Sequence, residues 1–465
     1  MMIGPRARLA VAAVFFAYVV LIRTHDLANS FLMLGEQTRD WTIALGSWRD
    51  LPLVGAPSTA GGRGFGPAYY WILWLGRHLV GPFTSNLPHG GGIVVALLQS
   101  IADSALLLVL ARRVPIALAL ATCLFIASAP FDISISGVIW NPPVAAALVK
   151  MATAMGLSLG ETPPRWKLAA TAALAWLGVQ AHLSAVFVAA PIFAALIAQP
   201  LFNRESPDRR LVRRSLGEGG SFSEGGRRAA EIAALAAAVV LVLQIPYLVS
   251  YLREPASASG PTGALTAITE ARAFDVIKSY SAVVNGAGDL LVHQNDTWQF
   301  QLPALAAAIV LVIRRRKDPM LLAVSVGAIL MATALFSNWT RAYDSYWFLT
   351  VTTAVVLTFG MAVAAIPHRI TMHLVSAVCL VVVAALQQSR VAQAREFFSY
   401  PQYRAMRIGS IKLAAMAPAL RDIRVTFPGA HPTMDKYFIY KILGGRIEPG
   451  APIAFIDEGG AVRIE

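Results

Sequence analysis

The sequence predicts an all-α polytopic membrane protein, and three observations carry that reading. Hydrophobic residues make up 56% of the 465-residue chain, charged residues only 14%, and the mean hydropathy is +0.59. Ordinary soluble chains carry about 25% charged residues and cannot hide this much apolar surface. The apolar residues fall in about eleven blocks, each near the roughly 17–25 residues of one bilayer crossing. Between blocks, Arg and Lys cluster in short segments such as Arg112-Arg113 and Arg314-Arg315-Arg316-Lys317, the positive-inside pattern of cytoplasmic loops. The formal charge of +13 therefore reports topology, and no nucleic-acid partner is expected.

The blocks order themselves from the N-terminus. Arg6 and Arg8 precede block 9–22, which reads as span 1 running outward; no small-residue cleavage site marks it as a signal peptide. Residues 23–90 form a long external loop. Span 2 (91–111) returns to Arg112-Arg113, span 3 (114–131) goes out, and span 4 (142–159) comes back. Spans 5 and 6 (168–181 and 183–200) form a tight pair turning outside near His182. Residues 201–229 carry seven arginines and the run SLGEGGSFSEGG, a composition that reads as a flexible cytoplasmic loop.

Span 7 (230–250) goes out, with Gln244 and Pro246 marking a kink, and 251–300 forms a second external loop. Spans 8 to 11 (301–313, 320–337, 347–366 and 371–387) complete a module over 1–387 with an odd number of crossings. The N-terminus is then inside and residues 388–465 outside. There Ile423–Phe427 and Ile453–Ile456 read as short strands and Asp457–Gly460 as a turn, which predicts a small α/β domain. Cys123 and Cys379 lie inside apolar blocks and read as small buried hydrophobes.

The first external loop holds the densest polar chemistry. It begins Gly35-Glu36-Gln37-Thr38-Arg39-Asp40-Trp41 and closes with Gly64-Phe65-Gly66-Pro67-Ala68-Tyr69-Tyr70-Trp71. Glu36 and Asp40 are four apart and share one face of a helix, while Trp41, Leu45 and Trp48 share another. That predicts an amphipathic helix lying on the membrane surface with its carboxylates turned from lipid. Tyr69 to Leu79 reads as a second interfacial helix. The simpler reading of the two acids is solvation, or pairing with Arg39.

The phrase GEQTRDW…LPLVGAPSTAGGRGFGPAYYW resembles the first periplasmic loop of the GT-C superfamily of lipid-linked-sugar glycosyltransferases. The similar branch contains the protein O-mannosyltransferases and the aminoarabinose transferases of lipid A modification. Ile139-Trp140-Asn141-Pro142 and Gly178-Val179-Gln180-Ala181-His182-Leu183-Ser184-Ala185 also resemble phrases at corresponding places in bacterial members. The likeness covers roughly 1–200 well and 230–390 by topology alone.

The resemblance implies a glycosyltransferase in a bacterial inner membrane, with a periplasmic site and a periplasmic C-terminal region. A sugar would move from a polyprenyl-phosphate donor to an acceptor hydroxyl on a glycolipid, glycan or protein, with inversion expected from direct attack. A carboxylate would serve as base, either Glu36 or Asp40; the family often has Asp where this chain has Glu36. Arg39, His182 and Arg341 are candidates to stabilise the leaving phosphate. Tyr69, Tyr70, Asn141, Tyr343 and Tyr346 complete the expected substrate-binding set. For Arg341 and its tyrosines, interfacial snorkelling is the competing reading; for His182 it is a satisfied turn histidine.

Asp103, in the middle of span 2, reads as protonated or bonded to a neighbouring helix, and Asp132 as a capping or positioning acid. No metal-ligand spacing, Walker loop or dinucleotide fingerprint appears, so no cofactor is expected, with a divalent metal left open. The competing functions are a glycolipid transporter or flippase, and an O-antigen polymerase or ligase type of enzyme. Neither the sugar, the acceptor nor the oligomeric state is encoded legibly.

Overall fold

The computed structural model describes residues 4–57, 62–202, 221–254, 276–292, 298–336, 345–395, 397, 399–427 and 436–465. Helices dominate. In chain order the first ten are α1 (Pro5–Thr24), α2 (Leu27–Ser30), α3 (Gly35–Leu45), α4 (Ala68–Thr84), α5 (Pro88–Arg113), α6 (Ile116–Ala127), α7 (Pro130–Ser136), α8 (Asn141–Leu157), α9 (Arg165–Ala181) and α10 (Val186–Phe202). Proline opens α1, α5 and α7, where its missing N–H costs nothing and its fixed φ favours the helix.

Each apolar block seen in the sequence is helical. Six helical stretches among the described residues are long and apolar enough to cross a bilayer: Pro5–Ser30, Pro88–Arg113, Leu183–Phe202, Gly225–Arg253, Pro319–Phe336 and Tyr346–Val363. Two bent pairs raise the number to eight. One joins α6 to α7 at 61°, and the other joins Arg369–Ala385 to Gln387–Ala394 at 42°. The first bend falls at Pro130, whose ring pushes Ala129 into an extended conformation. The remaining blocks form α8, α9 and Gln301–Arg315, of 17, 17 and 15 residues. Along Ser221–Arg253, Leu241, Val242, Ile245 and Leu252 are all exposed, which suits a surface facing hydrocarbon.

Two ends of the bundle are distinguishable. At one end Arg113, closing α5, pairs with Asp318 at 2.7 Å and donates to the Leu157 carbonyl at the end of α8. Arg315 donates to the Ala364 carbonyl nearby in the fold. At the other end lie the start of α8, the end of α9 and the residues around Tyr346, brought together with the first loop.

Several boundaries differ from expectation. α3 stops at Leu45, and Trp48 lies in a separate 3₁₀ turn, exposed, so it does not share the apolar face of Trp41. Gly46 ends the helix before that face can extend. A helix begins at Ser221, within the segment read as a flexible loop. The second external loop contains a helix, Val276–Val292, that buries Val283, Val284, Ala287, Leu290 and Leu291 against the bundle. Its apolar residues recur with helical spacing, a pattern the loop reading passed over.

The region after the last block builds a small mixed layer. Strands β1 (Ala419–Leu420) and β3 (Arg446–Ile447) pair in parallel. β2 (Asp422–Val425) pairs in parallel with β4 (Ile453–Ile456), which pairs antiparallel with β5 (Val462–Ile464). Asp457 to Gly460 forms the β4–β5 turn, with Gly460 at φ 74°. Helix Gln402–Met416 covers these strands, and a Cβ on Gly409 would meet Ile456 at 2.6 Å. The same helix docks on the front of the chain. Tyr403 packs edge-on against Phe31, its hydroxyl lies 2.9 Å from His89 Nδ1, and Tyr400 N–H donates to the Ser30 carbonyl.

Candidate active site

Helix α3 carries both acids of the first loop, and three anchors fix it. The Gln37 side chain accepts from the Leu34 N–H at 3.1 Å, a capping contact at the helix start. Gln37 also donates to the Ile139 carbonyl. Trp41 is fully buried and donates from Nε1 to the Asn86 carbonyl at 2.8 Å.

The two carboxylates meet different surroundings. Asp40 is 1% exposed. Its oxygens accept from the Tyr69 hydroxyl at 2.9 Å and the Tyr70 hydroxyl at 3.1 Å, and Arg39 Nε pairs with it at 2.7 Å. Burial together with the Asp40 charge pushes both tyrosine pKa values up, so the phenols remain donors. Burial alone would favour neutral Arg39, but its bond to Asp40 raises the guanidinium pKa above the ordinary value. Asp40 thereby ties α3 to α4.

Glu36, one turn earlier, is exposed and borders a cleft. Four other stretches contribute to this cleft: Ala56-Pro57, Gly64-Phe65, Trp140-Asn141, and Val179 through Leu183, with Tyr346 closing it. The cleft measures about 50 Å³, room for a few waters.

The cleft walls are interlocked. Asn141 Nδ2 donates to the Ala181 carbonyl at 3.0 Å, joining the start of α8 to the end of α9. Gly55 N–H donates to the Gly64 carbonyl and Gly64 N–H to the Ala56 carbonyl across the loop, and a Cβ on Gly55 would lie 2.9 Å from Gly64 Cα. Gln244 donates to the Phe65 carbonyl at 2.7 Å and accepts from Trp176 Nε1 at 3.0 Å. Gln180 donates to the Leu243 carbonyl at 2.7 Å, near Pro246, whose missing N–H interrupts that helix's own ladder. A Cβ on Gly66 would meet the Gln180 side chain at 2.4 Å.

His182 caps α9. Its ring packs edge-on against Tyr346 at 5.8 Å and Trp347 at 5.0 Å. Nδ1 accepts from the Ser184 N–H at 3.3 Å, which leaves Nε2 to carry the proton of the neutral ring. Burial lowers the imidazole pKa to about 4. His182 is thus a neutral hydrogen-bond donor near pH 7 rather than a fixed cation.

Of the residues singled out from sequence, Glu36, Asn141, His182 and Tyr346 come together in the cleft. Arg39, Asp40, Tyr69 and Tyr70 form a separate cluster between α3 and α4, buried except for the half-exposed Arg39. Arg341 and Tyr343 lie outside the described residues. Among the described residues, no three His, Cys, Asp or Glu side chains converge as a metal site.

A second polar centre joins Asp103 and Asp132, both singled out in the sequence, to two cations that were not. Arg23 of α1 bridges Asp103 of α5, at 2.7 Å, and Asp132 of α7. Lys150 of α8 pairs with Asp103 at 2.9 Å and lies 3.7 Å from Asp132. All four are buried, two charges of each sign. Arg390 closes the group's flank, donating to the Ser128 and Phe125 carbonyls with its guanidinium over the Phe125 ring. Lys150, inside its apolar block as Asp103 is inside another, was the available signal for the partner, since an ionisable residue at membrane depth needs one.

A bundle of apolar helices capped at one end by a loop helix bearing two acids defines a polytopic membrane protein. The solved structure of ArnT from Cupriavidus metallidurans bound to undecaprenyl phosphate is similar at a TM-score of 0.57 and 14% identity, covering 96% of this chain and 93% of that one. ArnT in the apo state gives 0.55 and 13%, covering 97% and 93%. No protein-family model and no curated protein matches the chain.

Proposed function

We propose that this protein is a glycosyltransferase that moves a sugar from a polyprenyl phosphate to an acceptor hydroxyl at the non-cytoplasmic membrane face. One observation carries the reading: the cleft gathers Glu36, Asn141, His182 and Tyr346 from four distant stretches of the chain. The similar ArnT structure, bound to undecaprenyl phosphate, supports a donor of that class. Eleven crossings, an N-terminus in the cytoplasm and residues 388–465 outside fit the helices and the arginine clusters.

In this scheme Glu36 accepts the proton of the acceptor hydroxyl as its oxygen attacks C1 of the sugar, with inversion. The C1–O bond to the lipid phosphate breaks, and its electrons leave on the phosphate. Neutral His182 donates a hydrogen bond from Nε2 to a polar oxygen of the bound substrates, and Asn141 shapes the wall beside it. Asp40 holds the loop rather than the proton, because its oxygens are already committed to Arg39, Tyr69 and Tyr70. A sugar would enter between the first-loop helix and the Phe65 segment, where the cleft is narrow.

Transfer assayed from a synthetic polyprenyl-phosphate sugar panel, together with mass spectrometry of envelope glycolipids and glycoproteins, tests the reading. A sugar of fixed mass should disappear with Glu36→Gln. Full transfer by that variant overturns the assignment of the base.

A second reading, transport of a glycolipid, draws on the buried Arg23–Asp103–Asp132–Lys150 group, since transporters place paired charges deep in the membrane. Flipping of a labelled glycolipid in proteoliposomes, unaffected by Glu36→Gln, would favour it.

A further inference from the structure

A recess separate from the Glu36 cleft lies where α4 turns into α5. Arg77, His78, Pro82 and Asn86 line it, and it measures about 340 Å³. The turn is specifically shaped. Ser85 and Asn86 have φ of 51° and 56°, the left-handed region that side-chain-bearing residues rarely enter. Gly81 permits the approach, because a Cβ there would meet Asn86 Oδ1 at 2.3 Å. Pro82 interrupts the α4 ladder on the same turn. Asn86 Oδ1 accepts from Arg77 Nε at 3.1 Å, so the guanidinium is held by one edge. Its two terminal nitrogens, and the Asn86 amide nitrogen, meet no acceptor among the described residues.

The surface around this recess is apolar in a regular way. Trp71, Leu75, Leu79 and Phe83 recur every fourth residue of α4 and are all exposed, Phe83 at 88%. Such a stripe suits a helix bedded in the bilayer interface. Pro88, two residues past Asn86, opens the 26-residue α5 that enters the membrane. The recess therefore sits where hydrocarbon gives way to headgroups, lined by a cation and with no acidic side chain.

The geometry points to a binding site for the phosphate of an anionic membrane phospholipid. The terminal nitrogens of Arg77 grip two phosphate oxygens in the forked manner of arginine, and Asn86 Nδ2 donates to a third. The acyl chains lie along the Trp71–Phe83 stripe. Through the Trp41 bond to the Asn86 carbonyl, the bound lipid would brace α3 from behind.

The full chain in phosphatidylcholine nanodiscs containing a minor fraction of phosphatidylglycerol, extracted and examined by native mass spectrometry, tests this. Wild-type protein should retain phosphatidylglycerol in preference to phosphatidylcholine. Arg77→Gln should lower that retention about fivefold, the effect of one basic residue at an anionic surface, and Arg77→Lys should restore part of it. Inorganic phosphate should not displace the lipid. Equal retention of both lipids by wild type, unchanged retention in a folded Arg77→Gln, or displacement by phosphate overturns the proposal. The wild-type comparison decides on its own if the variant fails to fold.

Discussion

The carboxylate of Asp40 accepts a hydrogen bond from the Tyr69 hydroxyl at 2.9 Å, with neither side chain open to solvent. That contact joins the two helices of the first loop, and it separates the roles of two acids that look equivalent in the sequence. Asp40→Asn removes the charge that holds Arg39 and both phenols, and Asp40→Ala leaves them unpaired. Each unpaired buried donor costs ~1–3 kcal/mol, so both variants should lower the thermal midpoint measured in detergent. Glu36→Gln should leave the midpoint unchanged and cut transfer by about two orders of magnitude or more, the usual contribution of a general base.

The buried ionic group should behave as a unit. Lys150→Met alone leaves Asp103 and Asp132 under-neutralised and should cost ~3–5 kcal/mol. Combining it with Asp103→Asn should cost much less than the sum of the single changes. Unfolding of the four members of this cycle gives the coupling; strict additivity would show that the residues act separately.

Burial holds His182 neutral down to about pH 4 in the folded chain, against about 6.5 when exposed. Its folded pKa is depressed, so the stability it permits is complete above about 6.5 and is lost as pH falls toward 4. Wild-type protein should lose midpoint temperature through that window, and His182→Gln should lose less. Parallel curves for the two proteins would show that His182 is not the titrating group.

Gln244 reaches from its helix to the Phe65 carbonyl, beside the cleft. Gln244→Leu should free the 62–67 segment and slow transfer by about a hundredfold, as a misplacement near 1 Å does. Gly66→Ala should act alike by displacing Gln180. Limited proteolysis of this segment, read beside kcat and KM, checks both; unchanged cleavage and kinetics would show that the staple is dispensable.

Much of the architecture was legible because hydropathy blocks and arginine flanks are set by the bilayer. Asn141, His182 and Glu36 were legible because local motifs surround them. What escaped was long-range or context-dependent. Arg23 looked like a residue just beyond span 1, yet α1 continues to Thr24 and turns it toward Asp103. Asp40 and Glu36 have the same local pattern, and only the placement of Tyr69 and Tyr70 tells them apart. The 17-residue helix at Val276–Val292 was hidden in a segment judged by its average polarity rather than its period.

The docking of Tyr400 and Tyr403 onto Ser30, Phe31 and His89 has a bearing on biosynthesis. Residues more than 300 positions apart meet in that seam. The ribosome delivers the early partner long before the late one, so the nascent first loop must wait, unclasped, while the intervening helices insert. The proposed site would then stay unbraced until the later segment has emerged and docked.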